Sequence, residues 1–291
     1  MRDYKHLTFN LGAEELEAAR ALLTRHGLLT EAALQPEGHP LAGLCTVTLL
    51  ADDPRLALLA DELESLGDAP MVRAERRYTK KELDTADWLL LRVATARQLA
   101  DDLAQPHQRD LACPECGAGA EPIPPLRAHL RLMGKRELDQ TAHAGHVIVS
   151  ARLAALMERE GLTGAEYRSV SRSSNSPPNP DYRWLQVVST FPPLDATARV
   201  GRQKQCSVCG RAGHFDLVAE PTELRFSTLP PKPADWNRTW EHFGEWRLPP
   251  ERRHEQVGGA PDLIVSQRVR QLLSRERVSR LHFEPVVVSA V

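Results

Sequence analysis

Two CxxCG motifs constrain this chain more than any other feature. Cys113-Pro114-Glu115-Cys116-Gly117 and Cys206-Ser207-Val208-Cys209-Gly210 account for four of its five cysteines. Two residues between thiols let one tight turn present both sulfurs to one ion, and the following glycine permits a positive φ. Two such turns supply four thiolates, the set that closes a tetrahedral zinc site. A closed site has no open position for water, so it reads as structural. Cys113, Cys116, Cys206 and Cys209 are therefore the expected ligands of one zinc ion. The competing readings are a redox dithiol or two unligated pairs; a thioredoxin-type motif needs its own βαβ context, which neither pair has.

The second constraint is an internal repeat. Val147-Ile-Val-Ser-Ala-Arg-Leu-Ala-Ala-Leu-Met-Glu-Arg-Glu160 aligns without a gap on Leu263-Ile-Val-Ser-Gln-Arg-Val-Arg-Gln-Leu-Leu-Ser-Arg-Glu276. Each copy reads as a strand, a Ser-capped helix and a β-like tail, and each follows a CxxCG. The spacing predicts a pseudo-duplicated domain over 106–291, with halves at about 111–190 and 200–291.

The first third differs. Strand signals at Lys5–Asn10, Cys45–Leu50, Met71–Tyr78 and Trp88–Val93 alternate with helix signals at Glu14–His26 and after Pro54. That order predicts an α+β sandwich of ferredoxin-like type. A further helix is expected over about Thr95–Leu103. Residues up to 105 are net acidic and the rest net basic, within an overall charge of -2. We therefore expect two domains, 1–105 and 106–291, and an α+β fold class throughout. No apolar run approaches the roughly 20 residues of a membrane span and no signal peptide is evident, so a cytoplasmic location is expected.

The double CxxCG, the copies at Val147 and Leu263, the joining strand from Trp184 to Pro193 and the ending Phe283-Glu284-Pro285-Val286 resemble the double-CXXCG-motif family. The resemblance covers about residues 111–288; about 110 residues precede the first motif, and it does not reach them. It implies a zinc-ribbon domain and, from known members, an immunity protein that binds and inhibits a toxin delivered by sibling bacteria. The layout also loosely resembles zinc-ribbon proteins that bind nucleic acid or act as regulatory adaptors.

No HExxH, phosphate loop or GxSxG is present, so binding rather than catalysis is expected. Trp236, Trp240, His242, Phe243, Trp246 and Arg247 cluster in a Pro-flanked irregular stretch and are candidate contacts to a partner, since Trp and Arg are favoured anchors. The plainer reading is that the tryptophans cap the core between the halves. Arg268, Arg270, Arg275, Arg277 and Arg280, with the run Arg73, Arg76, Arg77, Lys80 and Lys81, are the residues that could contact phosphates. His143, His146 and His214 lie near the motifs; their plainer reading is as loop histidines.

Overall fold

The computed structural model describes residues 1–30, 32–34, 44–66, 71–93, 105–110, 112–141, 145–217, 220–244 and 259–289. The protein is mixed α and β, with strands arranged in several sheets. Among the described residues no helix is long and apolar enough to cross a membrane. The chain divides into two compact units: Met1–Thr79 with Asp216–Thr222, and Lys80–Phe215 with Glu223–Val291. The N-terminal stretch of the first unit ends at Thr79, ahead of the change in charge balance at 105. The helix expected over Thr95–Leu103 lies outside the described residues.

In the first unit, β1 (Arg2–Asn10), α1 (Ala13–Arg25), β2 (Ala32–Leu34), β3 (Leu44–Leu50), α2 (Arg55–Glu64) and β4 (Met71–Arg77) follow in order. The strands form one antiparallel sheet in the order β2-β3-β1-β4. Strand alternation sorts the residues. Leu7 and Phe9 on β1, and Cys45, Val47 and Leu49 on β3, cluster with Ala19, Leu22 and Leu23 of α1 and Leu59 and Leu63 of α2. The intervening positions carry a polar ladder: His6 joins Thr48 at 2.8 Å and Glu75 at 2.7 Å, and Thr8 meets Thr46. Cys45 is fully buried, and that burial pushes its thiol up to about 11. It is the small apolar residue that the strand pattern suggests.

In the second unit, strands Val147–Ser150, Ala165–Ser171 and Tyr182–Val187 join Leu126–Arg127 and Leu138–Gln140 in one sheet. A second sheet runs Trp236–Arg238, Leu263–Ser266, Trp88–Val93, Leu281–Pro285. Their registers correspond. In the first sheet Val147 stands opposite Leu185 and Ala165 opposite Val187. In the second Leu263 stands opposite Leu91 and Leu281 opposite Val93. The central strand therefore follows the helix in one sheet, whereas in the other it comes from before the first cysteine motif.

These central strands read VIV, LIV and LLL because both faces are covered, which removes alternation. Val147, Val149, Leu89, Leu91, Leu263 and Val265 enter one core with helix residues Leu153, Met157, Val269 and Leu273. Between them, Ile148 and Trp184 face a cluster with Leu126 and Met133, while Leu90 and Ile264 face Phe191 and Phe226.

The two helices, Ala151–Arg159 and Gln267–Arg275, begin alike. The Ser150 hydroxyl accepts from the Leu153 N–H at 3.0 Å, and the Ser266 hydroxyl from the Val269 N–H at 3.5 Å. Ser266 also donates to Asp235 at 2.7 Å, and Ser150 donates to Glu137. We expect Ser150→Ala to cost about 1 kcal/mol in chemical denaturation, the usual worth of a lost N-cap. The helix exits differ in sequence. After the first helix, Gly161 and Gly164 hold φ values of 64° and 87°; after the second, Arg277 and Arg280 hold 54° and 66°. Left-handed backbone costs a side-chain-bearing residue roughly 1–2 kcal/mol, so the arginines sit where glycine would be relaxed. Gly164 has a packing reason too, since a Cβ there would lie 2.1 Å from the Trp236 carbonyl oxygen.

Candidate metal centre

Each cysteine pair sits on a turn built in the same way. The Cys113 N–H donates to Ala118 O at 2.9 Å, and the Gly117 N–H to Cys113 O at 2.8 Å. In the second turn the Cys206 N–H donates to Ala212 O at 3.1 Å, and the Gly210 N–H to Cys206 O at 2.8 Å. Gly117 and Gly210 hold φ values of 72° and 69°. The glycine of CxxCG is thus required by the backbone, as the motif implies.

The turns meet with their sulfurs converging. Cys113 Sγ lies 3.7 Å from Cys206 Sγ, and Cys116 Sγ lies 3.5 Å from Cys209 Sγ. All four sulfurs fall within 4.8 Å of one another. Sulfurs bound to one ion at roughly 2.3 Å stand about 3.8 Å apart in a tetrahedron. A disulfide brings its sulfurs to about 2.05 Å, so these contacts fit shared coordination and all four thiols are free. Cys116 and Cys206 are buried and Cys113 and Cys209 half-buried, packed with Ala118 and Ala212. The donor set therefore fits a metal ion that prefers sulfur.

Local electrostatics act unevenly on the thiols. Burial raises the Cys113 thiol, but N–H groups of Cys116 and Glu115 outweigh it and bring the group down to about 7. Burial pushes Cys116 and Cys209 up instead. The Arg211 N–H points at Cys209 Sγ from 3.4 Å. The Arg211 guanidinium donates to Trp240 O at 3.1 Å and to His242 Nε2 at 3.3 Å, and stacks 5.8 Å from the Trp240 ring centre. Arg211 thus places a positive charge beside a cluster that would carry net negative charge when metallated. It was not among the residues expected from the sequence; its place directly after the second CxxCG is the signal that could have found it.

Of the histidines near the motifs, the described two, His146 and His214, do not join the sulfurs. His214 donates from Nδ1 to Arg211 O at 3.0 Å and accepts at Nε2 from Gln205 at 3.0 Å, while burial depresses its pKa and keeps the ring neutral. It braces the second turn. His146 packs edge-on against Trp184, with ring centres 5.6 Å apart. His143 lies outside the described residues. Among the described residues, the four cysteines form the one group of three or more donors with metal-binding spacing.

The proposed contact residues divide. Trp236 is fully buried in the core between the sheets, and His242 is buried with Nδ1 donating to Gly259 O at 3.2 Å. These two have no surface to offer a partner, because their strands lie inside the second unit. Trp240 and Phe243 are half-buried. The Trp240 ring lies over the second cysteine turn, 3.6 Å from where a Cβ on Gly210 would stand. Trp246 and Arg247 lie outside the described residues. Several expected phosphate contacts are engaged in ion pairs: Arg268 with Asp235, Arg270 with Asp84, Arg275 with Glu160, Arg76 with Asp3 and Arg77 with Glu75.

Glu241, beside this region, is a buried carboxylate that the sequence did not flag. One oxygen accepts the Leu194 N–H at 2.7 Å, while the other has no hydrogen-bond partner among the described residues. Burial raises its pKa above 4.5. A raised folded-state pKa stabilises below the unfolded value and loses that contribution as pH rises through the folded value. Glu241→Gln is therefore expected to gain stability relative to wild type at pH 8 and to lose that advantage towards pH 4.5. Melting curves of both proteins across that range check it.

Neither a protein-family model nor a curated protein matches the chain.

Proposed function

We propose that one structural zinc ion, held by Cys113, Cys116, Cys206 and Cys209, organises the second unit, and that the protein works by binding another protein. The observation that carries this reading is the convergence of four sulfurs from two distant turns. Four thiolates saturate zinc and leave no position for a reacting water. The matched registers around Val147 and Leu263 support reading that unit as a duplicated zinc-ribbon domain. The strand order β2-β3-β1-β4, with two helices, supports a ferredoxin-like first unit.

The kind of binding follows from the resemblance stated above: an immunity-type inhibitor that occupies the surface of a cognate toxin. Trp240 and Phe243 are the described members of the aromatic cluster with surface left to contribute. The test is co-expression with the product of the neighbouring gene. Co-purification of the two, together with protection of a sensitive strain from that product, is expected. A strain that lacks the gene yet tolerates neighbouring and sibling-delivered toxins as well as its parent would overturn the reading. So would turnover of a substrate abolished by one side-chain change.

A further inference from the structure

The two halves of the second unit differ at one place in a way that builds a binding groove. In the first half, the turn after the helix closes directly onto the neighbouring strand. The Trp236 N–H donates to Thr163 O at 2.9 Å, and the Thr163 N–H to Asp235 Oδ2 at 3.0 Å. Gly164 permits that closure because it carries no side chain to meet the Trp236 carbonyl, and Gly161 supplies a relaxed left-handed backbone. At the corresponding place in the second half, the turn Arg277 to Arg280 faces Lys135 to Leu138. Among the described residues no hydrogen bond joins the two segments. A groove of about 460 Å³ separates them.

Its lining is cationic. Lys135, Arg277 and Arg280 are exposed, and none has a side-chain hydrogen bond or ion pair among the described residues. Arg136 also lines the groove and pairs with Asp139. The carboxylate present, Glu137, is held by Ser150 and Arg152. Both arginines occupy left-handed backbone positions that the other half fills with glycine. Local folding preference thus opposes arginine at two positions, and the charge is there in spite of it. Strained residues of this kind gather at ligand clamps.

We propose that this groove binds a ligand carrying two or more phosphate groups. Three unpaired cations exceed what one carboxylate requires, and the guanidinium fork matches the oxygens of phosphate. The groove volume lies within the usual range of small-ligand sites. This inference is independent of the toxin reading and of the metal.

The test is titration of the zinc-loaded full-length protein with inorganic tripolyphosphate, followed by calorimetry at low salt. The double variant Arg277→Gly with Arg280→Gly installs the residues of the other half. It is expected to melt at or above the wild-type temperature while binding tripolyphosphate at least about tenfold more weakly, the scale of a lost charge-assisted hydrogen bond. Arg277→Gln with Arg280→Gln should weaken binding similarly without glycine's added freedom. Arg172→Gly, an exposed cation elsewhere, should leave binding unchanged. A short oligothymidylate lost in parallel would assign the phosphates to a nucleic-acid backbone; tripolyphosphate binding alone would assign them to a small ligand. Absence of binding, or equal binding by wild type and the double variants, overturns the proposal. A glutamate hexapeptide that competes as well as tripolyphosphate also overturns it, in favour of an acidic protein segment.

Discussion

Cys206→Ser is expected to abolish stoichiometric metal binding and to lower the melting temperature of the second unit by about 10 °C or more. Structural zinc sites contribute on the order of 10 kcal/mol in small zinc domains, where the metal carries most of the fold. Here the unit also has a large apolar core, so only part of that is lost, about 4 kcal/mol. For a domain near 200 residues each kcal/mol moves the melting temperature by roughly 2–4 °C. The effect should be large because the cysteine turns lie far apart in sequence and their sulfurs converge. Cys45→Ser supplies the contrast. It places a hydroxyl in the first unit's core, costs about 1–3 kcal/mol, and leaves the metal content unchanged. Equal losses of metal in both variants would contradict this assignment of ligands.

Trp236→Ala is expected to destabilise the protein by about 3–5 kcal/mol, the range for deleting a buried aromatic side chain. Its side chain is fully buried and packs between the sheets with Val265 opposite on the neighbouring strand. Its indole N–H has no acceptor among the described residues, so Trp236→Phe should cost much less, about 1–2 kcal/mol, by removing an unpaired donor with part of the ring. Denaturant unfolding of the two variants separates a core role from a contact role. A contact residue would give near wild-type stability for both substitutions and a large loss of partner affinity for alanine.

Much of this was legible locally. The CxxCG turns declare their chemistry in five residues, and the Ser-capped helices at Ser150 and Ser266 follow from a hydroxyl placed just before an amphipathic stretch. Cys45 read as core because its strand alternates. The pairing of Trp88–Val93 was not legible. A strand buried on both faces has no alternation to say which sheet it enters, and its partners Leu263–Ser266 and Leu281–Pro285 lie far along the chain. For Trp236 the plainer reading, a core residue, agrees with its burial, whereas the burial of His242 was not legible, since a Pro-rich stretch with two short strands shows little period. Arg277 and Arg280 stood among the residues that could contact phosphates, and no local pattern marked their backbone as left-handed. Carrying the Val147 and Leu263 alignment past the helices sets them against Gly161 and Gly164, so a signal was present in the repeat.

The sheets of the two units differ in how their faces are covered. The first unit's sheet has one polar face, with His6, Thr48 and Glu75 in a hydrogen-bonded line, whereas the central strands of the second unit are covered on both sides.

X-ray absorption at the zinc edge, with elemental analysis on the same sample, tests the central claim most directly. The account predicts one zinc per chain with four sulfur neighbours at roughly 2.3 Å and no oxygen or nitrogen in the shell. Substoichiometric metal with all four thiols titrating freely in the native protein would contradict it, as would a shell containing nitrogen or oxygen.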